Sequence, residues 1–193
     1  MFLRKRPSDG DIARFLDRAS MSALSYAPEG LSQLSPPGYK VDDYRVLIGA
    51  GSDALQLARA ALDSWEPFRL GWVEFFPSAP SPEPGAAVAV LVRHLGFWSL
   101  NACRVVGRLP QDASDSRYGF CYGTLEDHAE KGEELFAVEL DLTDGSVWYQ
   151  IRAVSQPRAA LAKLGYPVSR RFQRKFRDDS AKVMQRVIRT RTG

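Results

Sequence analysis

The chain has 193 residues, 45% of them hydrophobic, with a net charge of +3 and two cysteines. That suits one domain with a sizeable core and gives no disulfide framework. The longest apolar run, Ala86 to Val92, is far short of the roughly 20 residues that span a bilayer.

At the N-terminus Met1-Phe2-Leu3 runs directly into Arg4-Lys5-Arg6 with no apolar stretch behind the charges. No secretory leader is expected, and a reduced, cytoplasmic protein is. Ser8, Asp9 and Asp11 offer caps to a short helix near Asp11–Ala19, with Ile12, Phe15 and Leu16 on one face. A Ser-, Pro- and Gly-rich stretch from Ser25 to Gly38 follows, long for a connection within a domain, and reads as an arm over the surface. Tyr44–Ile48 reads as a strand, and a helix should follow the glycine turn, burying Leu55, Ala58, Leu62 and Trp65.

The turn itself, Gly49-x-Gly51-x-x-Ala54 with Glu74 downstream, matches a dinucleotide-binding fingerprint. Such a fold needs repeated strand–helix–strand units, and no helical pattern returns between Trp72 and Pro157. The favoured reading is two glycines making a tight strand-to-helix turn, and no cofactor is expected.

Strands are then expected at Leu70–Phe76, Ala86–His94, Phe97–Val106, Arg117–Gly123, Glu133–Leu142 and Ser146–Val154. Asp144-Gly145 is the strongest hairpin signal. Read as a two-residue loop, it pairs Leu142 with Val147, Leu140 with Tyr149, Val138 with Ile151 and Phe136 with Ala153. Those residues share an apolar face on which the Tyr149 hydroxyl is the only polar group. Glu139 and Arg152 fall on the other face as diagonal neighbours, a solvent-side ion pair. With Leu95-Gly96 as the earlier turn, Val88, Val90, Val92 and His94 share the inward face with Phe97, Ser99, Asn101 and Cys103.

Pro157 can begin a short helix that Gly165 ends. From Pro167 to Thr190 a long helix is expected, with Val168, Phe172, Phe176, Val183 and Val187 on one stripe and Met184 and Ile188 widening it. From Val168 onward the chain carries a net charge of +7 and the remainder −4, a basic helix that reads as a solvated face.

His128 stands among Glu126, Asp127, Glu130, Glu133 and Glu134. A histidine among carboxylates can bind a metal. The only other histidine is thirty-four positions away and no His-x-x-x-His or Cys-x-x-Cys is present, so no metal is expected. No nucleophile elbow or phosphate loop occurs.

Several stretches carry a resemblance. They are Arg93-His94-Leu95-Gly96-Phe97-Trp98-Ser99-Leu100-Asn101-Ala102-Cys103-Arg104, Gly119-Phe120-Cys121-Tyr122-Gly123-Thr124-Leu125 with His128 and Gly132-Glu133-Glu134, Gly145-Ser146-Val147-Trp148-Tyr149, and Leu164-Gly165-Tyr166-Pro167. Together they resemble a domain-of-unknown-function family of bacteria and plants over nearly the whole chain. In element order the chain is also similar to START-like and pollen-allergen-like helix-grip proteins, which is fold analogy.

The expectation is an α+β protein, a curved antiparallel sheet wrapped around a long C-terminal helix (helix-grip, START-like). Residues 1–40 would form an N-terminal helix and arm, and 41–193 a single domain. The leading functional reading is a cavity between sheet and helix that binds a small apolar or amphipathic molecule. Its wall would be the Phe136–Leu142 and Val147–Ile151 face. The expected ligand-binding residues are His94, Asn101, Tyr122, Thr124, His128 and Tyr149. One alternative is an enzyme using His94 or His128 as acid or base near Tyr122. Another is nucleic-acid or membrane contact through the basic helix, although no nucleic-acid partner is expected.

Overall fold

The computed structural model describes residues 1–94, 96–110, 114–128, 130–157 and 166–192. In chain order the elements are β1 (Phe2–Leu3), α1 (Asp9–Ser20), β2 (Lys40–Ala50), α2 (Gly51–Asp63), β3 (Val73–Pro77), β4 (Ala87–Arg93), β5 (Trp98–Arg108), β6 (Arg117–Thr124), β7 (Glu130–Leu140), β8 (Ser146–Pro157) and α3 (Tyr166–Thr192). The short helix expected from Pro157 to Gly165 falls on 158–165, outside the described residues, as does the side chain of Val168.

The strands form one sheet in the order β2-β8-β7-β6-β5-β4-β3, every pair antiparallel, with β1 added beside β5. Alternation sorts their side chains onto two faces. One face carries Val88, Cys103, Val105, Phe120, Phe136, Val138, Val147, Tyr149 and Ile151, which form the main core with α2 and α3. The opposite face carries Ala89, Leu91, Leu100 and Ala102, covered by Ile12, Phe15 and Ala19 of α1. Helix α1 is capped as its sequence suggested: Ser8 accepts from the Asp11 amide, and the Asp11 carboxylate accepts from the Ser8 amide.

The register of β4 on β5 is the expected one, with Arg93 opposite Trp98 and Val90 opposite Asn101, and the His94 amide donates to the Phe97 carbonyl; Leu95, expected in the turn, lies outside the described residues. The β7–β8 turn differs from expectation. Asp141 and Ser146 close a four-residue loop, in which the Gly145 amide donates to the Asp141 carbonyl and the Asp141 carboxylate accepts from the Thr143 amide. The register is therefore shifted by two: Leu140 faces Val147, Val138 faces Tyr149 and Phe136 faces Ile151. The shift is even, so each residue keeps its face, but Leu142 leaves the sheet and is 66% exposed in the turn. Glu139 and Arg152 are not neighbours either. Arg45 and Arg117 pair with Glu139, while Arg152 pairs with Asp43.

Leu55, Ala58, Leu62 and Trp65 are buried as the stripe of α2 predicts. The preceding glycines act through geometry. Gly51 turns the chain at φ +83°, and a Cβ on Gly49 would lie 2.8 Å from Ile188 Cγ2 and 3.0 Å from Ala54 Cβ. Gly49 lets the C-terminal half of α3 sit close on β2. There Ser180, Ala181, Val183, Met184 and Ile188 are buried, whereas Phe172 and Phe176 in the other half are only partly covered.

The Ser25–Gly38 stretch is a fastened arm. On the outer face the Glu133 carboxylate accepts from the Tyr26 hydroxyl at 2.7 Å, the Gly30 amide at 2.7 Å and the Ser32 amide at 2.9 Å. Gly123 leaves room for this tie, since a Cβ there would lie 2.1 Å from the Tyr26 hydroxyl oxygen.

Two measurements test these contacts. Gly49→Ala should destabilise by about 1–3 kcal/mol through overpacking. In denaturant melts the loss should shrink in an Ile188→Ala background, where the clashing methyl is gone. Glu133→Gln should cost about 2–3 kcal/mol, because two amides and a hydroxyl lose a charged acceptor. Hydrogen exchange at the Gly30 and Ser32 amides should speed up with it.

Candidate functional site

Because the N-terminal half of α3 is less deeply seated than the rest, a cavity of about 880 Å³ opens between it and the concave face of the sheet. Phe172, Gln173, Phe176 and Arg177 form the helical side. Val90, Val92, Ser99 and Asn101 form the β4–β5 side, and Tyr122, Glu130, Glu134, Ile151, Ala153 and Ser155 the β6–β8 side. Phe68 and Trp72, from the connection after α2, also line it. Among described residues no helix is long and apolar enough to cross a membrane.

Five of the six residues expected from sequence line this space: His94, Asn101, Tyr122, Thr124 and His128. Tyr149 does not. It is fully buried, its hydroxyl lies 2.8 Å from Ser180 Oγ, and both belong to the filled part of the core. The expected wall moves accordingly. Val138, Val147 and Tyr149 lie in the core formed with α2 and the C-terminal half of α3, and the cavity uses the Glu130–Glu134 end of β7 and the Ile151–Ser155 end of β8.

Phe172 and Phe176, assigned to buried packing by their spacing, are walls of the cavity. Phe172 meets the His94 ring edge-on at 4.6 Å and Trp72 at 5.9 Å. Phe176 meets Phe68 at 5.5 Å and Phe136 at 6.2 Å. Tyr122 lies 6.0 Å from Phe68 and 5.3 Å from Phe136, and of this aromatic cluster Phe68, Tyr122 and Phe176 line the cavity while Phe136 is fully buried behind them.

The acidic groups lie at the β7 end, away from His94, Ser99 and Asn101 on the β4–β5 side. Tyr122 donates to Glu134 Oε2 at 2.7 Å, across the β6–β7 pair that sets the two residues opposite each other. Glu130 accepts from Gln173 Nε2 at 2.6 Å and from the Ser155 hydroxyl at 3.1 Å. Asp42 is held by Arg170 at 2.9 Å and Arg177 at 3.4 Å. The basic helix thus turns Arg170 and Arg177 inward, while Lys175 and Lys182 pair with Asp179 on its own surface.

Neither histidine is paired with Tyr122, contrary to the acid–base arrangement considered from sequence. His94 Nε2 lies 2.8 Å from Ser99 Oγ, and its ring stacks on Phe97. The Glu130 amide donates to His128 Nδ1 at 3.0 Å. Burial lowers the pKa of both rings and favours their neutral forms.

Glu134 is the group that sequence reasoning missed, together with Glu130, Asp42 and Gln173. Its carboxyl is half-buried and lines the cavity, and desolvation pushes its pKa up to about 7. The Tyr122 hydrogen bond opposes that shift, and the charges of Glu130 and Asp42 add to it. The signal was present in the period-2 pattern, since Glu134 shares the inward row with Phe136 and Val138.

A family model described as a domain of unknown function (DUF1990) matches residues 25–183. A UPF0548 protein of Dictyostelium discoideum is 34% identical over 207 residues, covering 97% of this chain and 96% of its own length. The chain belongs to the UPF0548 family. A UPF0548 protein of Deinococcus radiodurans is 32% identical over 200 residues, covering 97% of this chain and 98% of its own. One of Arabidopsis thaliana is 32% identical over 162 residues, covering 81% and 77%.

Solved structures similar to this UPF0548 chain share its architecture at low identity. TTHA0849 from Thermus thermophilus superposes with a TM-score of 0.56 at 10% identity, over 80% of this chain and 100% of that one. A Thalictrum norcoclaurine synthase point mutant, in complex with a transition state analogue, gives 0.55 at 10% identity over 80% and 97%. The di-domain ARO/CYC protein StfQ of the steffimycin biosynthetic pathway gives 0.54 at 15% identity, over 80% of this chain and 52% of that one. The fold is the helix-grip.

The raised pKa of Glu134 has a consequence for stability. Between the ordinary 4.5 and about 7 the unfolded chain has lost the Glu134 proton while the folded chain keeps it. Stability from this group is therefore full below pH 4.5 and falls as pH rises toward 7. Glu134→Gln should remove that slope. The variant should match wild type near pH 4.5 and exceed it by about 1–3 kcal/mol at pH 8, as read from denaturant midpoints across pH.

Proposed function

We propose that this UPF0548 protein binds a small, mostly apolar molecule with one polar end in the cavity between α3 and the sheet. The observation that carries the reading is the composition of the walls. Val90, Val92, Phe97, Trp72 and Phe172 supply an apolar surface at one end, with the neutral polar groups His94, Ser99 and Asn101 among them, and the acids Glu130 and Glu134 stand with Tyr122 at the other. A volume near 880 Å³ lies within the range of small-molecule pockets, roughly 300–1,000 Å³. Cys103 and Cys121 are free, buried thiols, which suits a reducing, cytoplasmic setting.

A second reading rests on the contact between Tyr122 and Glu134. A carboxyl with a pKa near 7, hydrogen-bonded to a phenol inside a cavity, is placed to exchange a proton with a bound molecule. Acid–base chemistry in this protein would therefore centre on Glu134, with Tyr122 orienting it.

Titration with the neutral, environment-sensitive dye 1-aminoanthracene tests the binding reading. Wild type should show a saturable, blue-shifted emission. Ala153→Phe, which places a ring beside Glu134 in the cavity, should weaken the response at least ten-fold with the melting temperature nearly unchanged. No saturable signal, or equal binding by the filled variant, overturns the reading.

A further inference from the structure

We propose that the molecule taken up by the cavity carries a protonated amine, and that Glu134 is the group that receives it. The proposal rests on the binding reading above and specifies the charge of the ligand.

The position of the carboxylate comes first. Glu134 stands opposite Tyr122 on β6 and Ala153 on β8, in the row that points at α3. Tyr122 satisfies Oε2. Among the described residues Oε1 has no hydrogen-bond partner, and the residue lines the cavity. A half-buried carboxylate with one oxygen open to the cavity can accept an incoming donor, and a charged donor most strongly.

The surrounding charges point the same way. Arg177 is the only lysine or arginine on the cavity wall among the described residues, and it is committed with Arg170 to Asp42. Gln173 and Ser155 donate to Glu130. Glu133, the next residue on β7, turns its carboxylate outward to the arm. The remaining titratable groups around Glu134 are Tyr122, Cys103 and Tyr149, whose pKa values burial raises, and the two histidines that burial keeps neutral. Among the described residues a carboxylate or phosphate on the ligand would meet the acids Glu130, Glu134 and Asp42, with Arg177 already paired to Asp42. An ammonium would instead offset the mutual repulsion of these carboxylates.

Aromatic faces complete the setting. Tyr122, which touches Glu134, adjoins Phe68 at 6.0 Å, and both rings line the cavity with Phe176. Rings beside a carboxylate suit an organic ammonium, which gains from their faces and from the opposite charge. A metal ion does not fit this donor set, since no three of the described His, Cys, Asp and Glu side chains are grouped to hold one. From β7 to the valines of β4 the cavity crosses three strand spacings, roughly 14 Å, so an aryl or alkyl body can lie along the apolar end.

The test uses three molecules with one body: 2-(1-naphthyl)ethylamine, 2-(1-naphthyl)ethanol and 1-naphthylacetate. Each is titrated calorimetrically at pH 7.5 into wild type and Glu134→Gln. In wild type the amine should bind at least ten-fold more tightly than the alcohol, and the carboxylate most weakly. In Glu134→Gln the amine should lose that advantage while the alcohol binds as before, which also shows that the cavity is intact. If the carboxylate equals the amine, or if the amine's advantage survives in Glu134→Gln, this inference falls and the cavity reading stands. If neither the three ligands nor 1-aminoanthracene bind wild type, the cavity reading itself falls.

Discussion

The close seat of α3 on β2 is the contact on which the rest of the molecule depends. It needs a position without a side chain, supplied by Gly49, and small or slender residues along the facing half of the helix, Ser180, Ala181 and Met184 among them. The other half of the same helix carries Phe172 and Phe176, which are too large for such an approach and are only partly covered. One helix therefore closes the core at one end and roofs a cavity at the other. The division follows from side-chain volume along a single stripe, with no kink required.

Much of this was legible in the sequence because it depends on periodicity. The 3.6-residue stripe located α3, and the alternation in β4 and β5 placed Val90, Val92, Ser99 and Asn101 on one face. The β7–β8 register was misread by two residues for a reason inherent in strands. An even shift leaves every side chain on its face, so the hydrophobic pattern is blind to it. Only the loop distinguishes the two registers, and there the Asp141 carboxylate holds a four-residue turn in place of the shorter one that Asp144-Gly145 suggested.

The candidate site was harder to read, because which inward residues are packed and which face open space depends on how far the helix covers each strand. Tyr149 and Tyr122 both point inward from neighbouring parts of the sheet. Tyr149 meets Ser180 beneath the helix, and Tyr122 meets Glu134 beside the opening. Nothing local to either tyrosine separates the two outcomes. Glu134 is legible in the sequence as an acid that interrupts the inward apolar row of Phe136 and Val138.

Glu133 and Glu134 are adjacent, chemically identical and turned to opposite faces by the pleat of β7. The first has three donors and fastens an arm; the second has one and strains against its surroundings. Selection for foldedness alone would keep the acid at 133 and discard the one at 134. A ligand of the kind proposed would supply the donor that position 134 lacks, and thermodynamic misfit becomes a way to choose candidate residues for such a test.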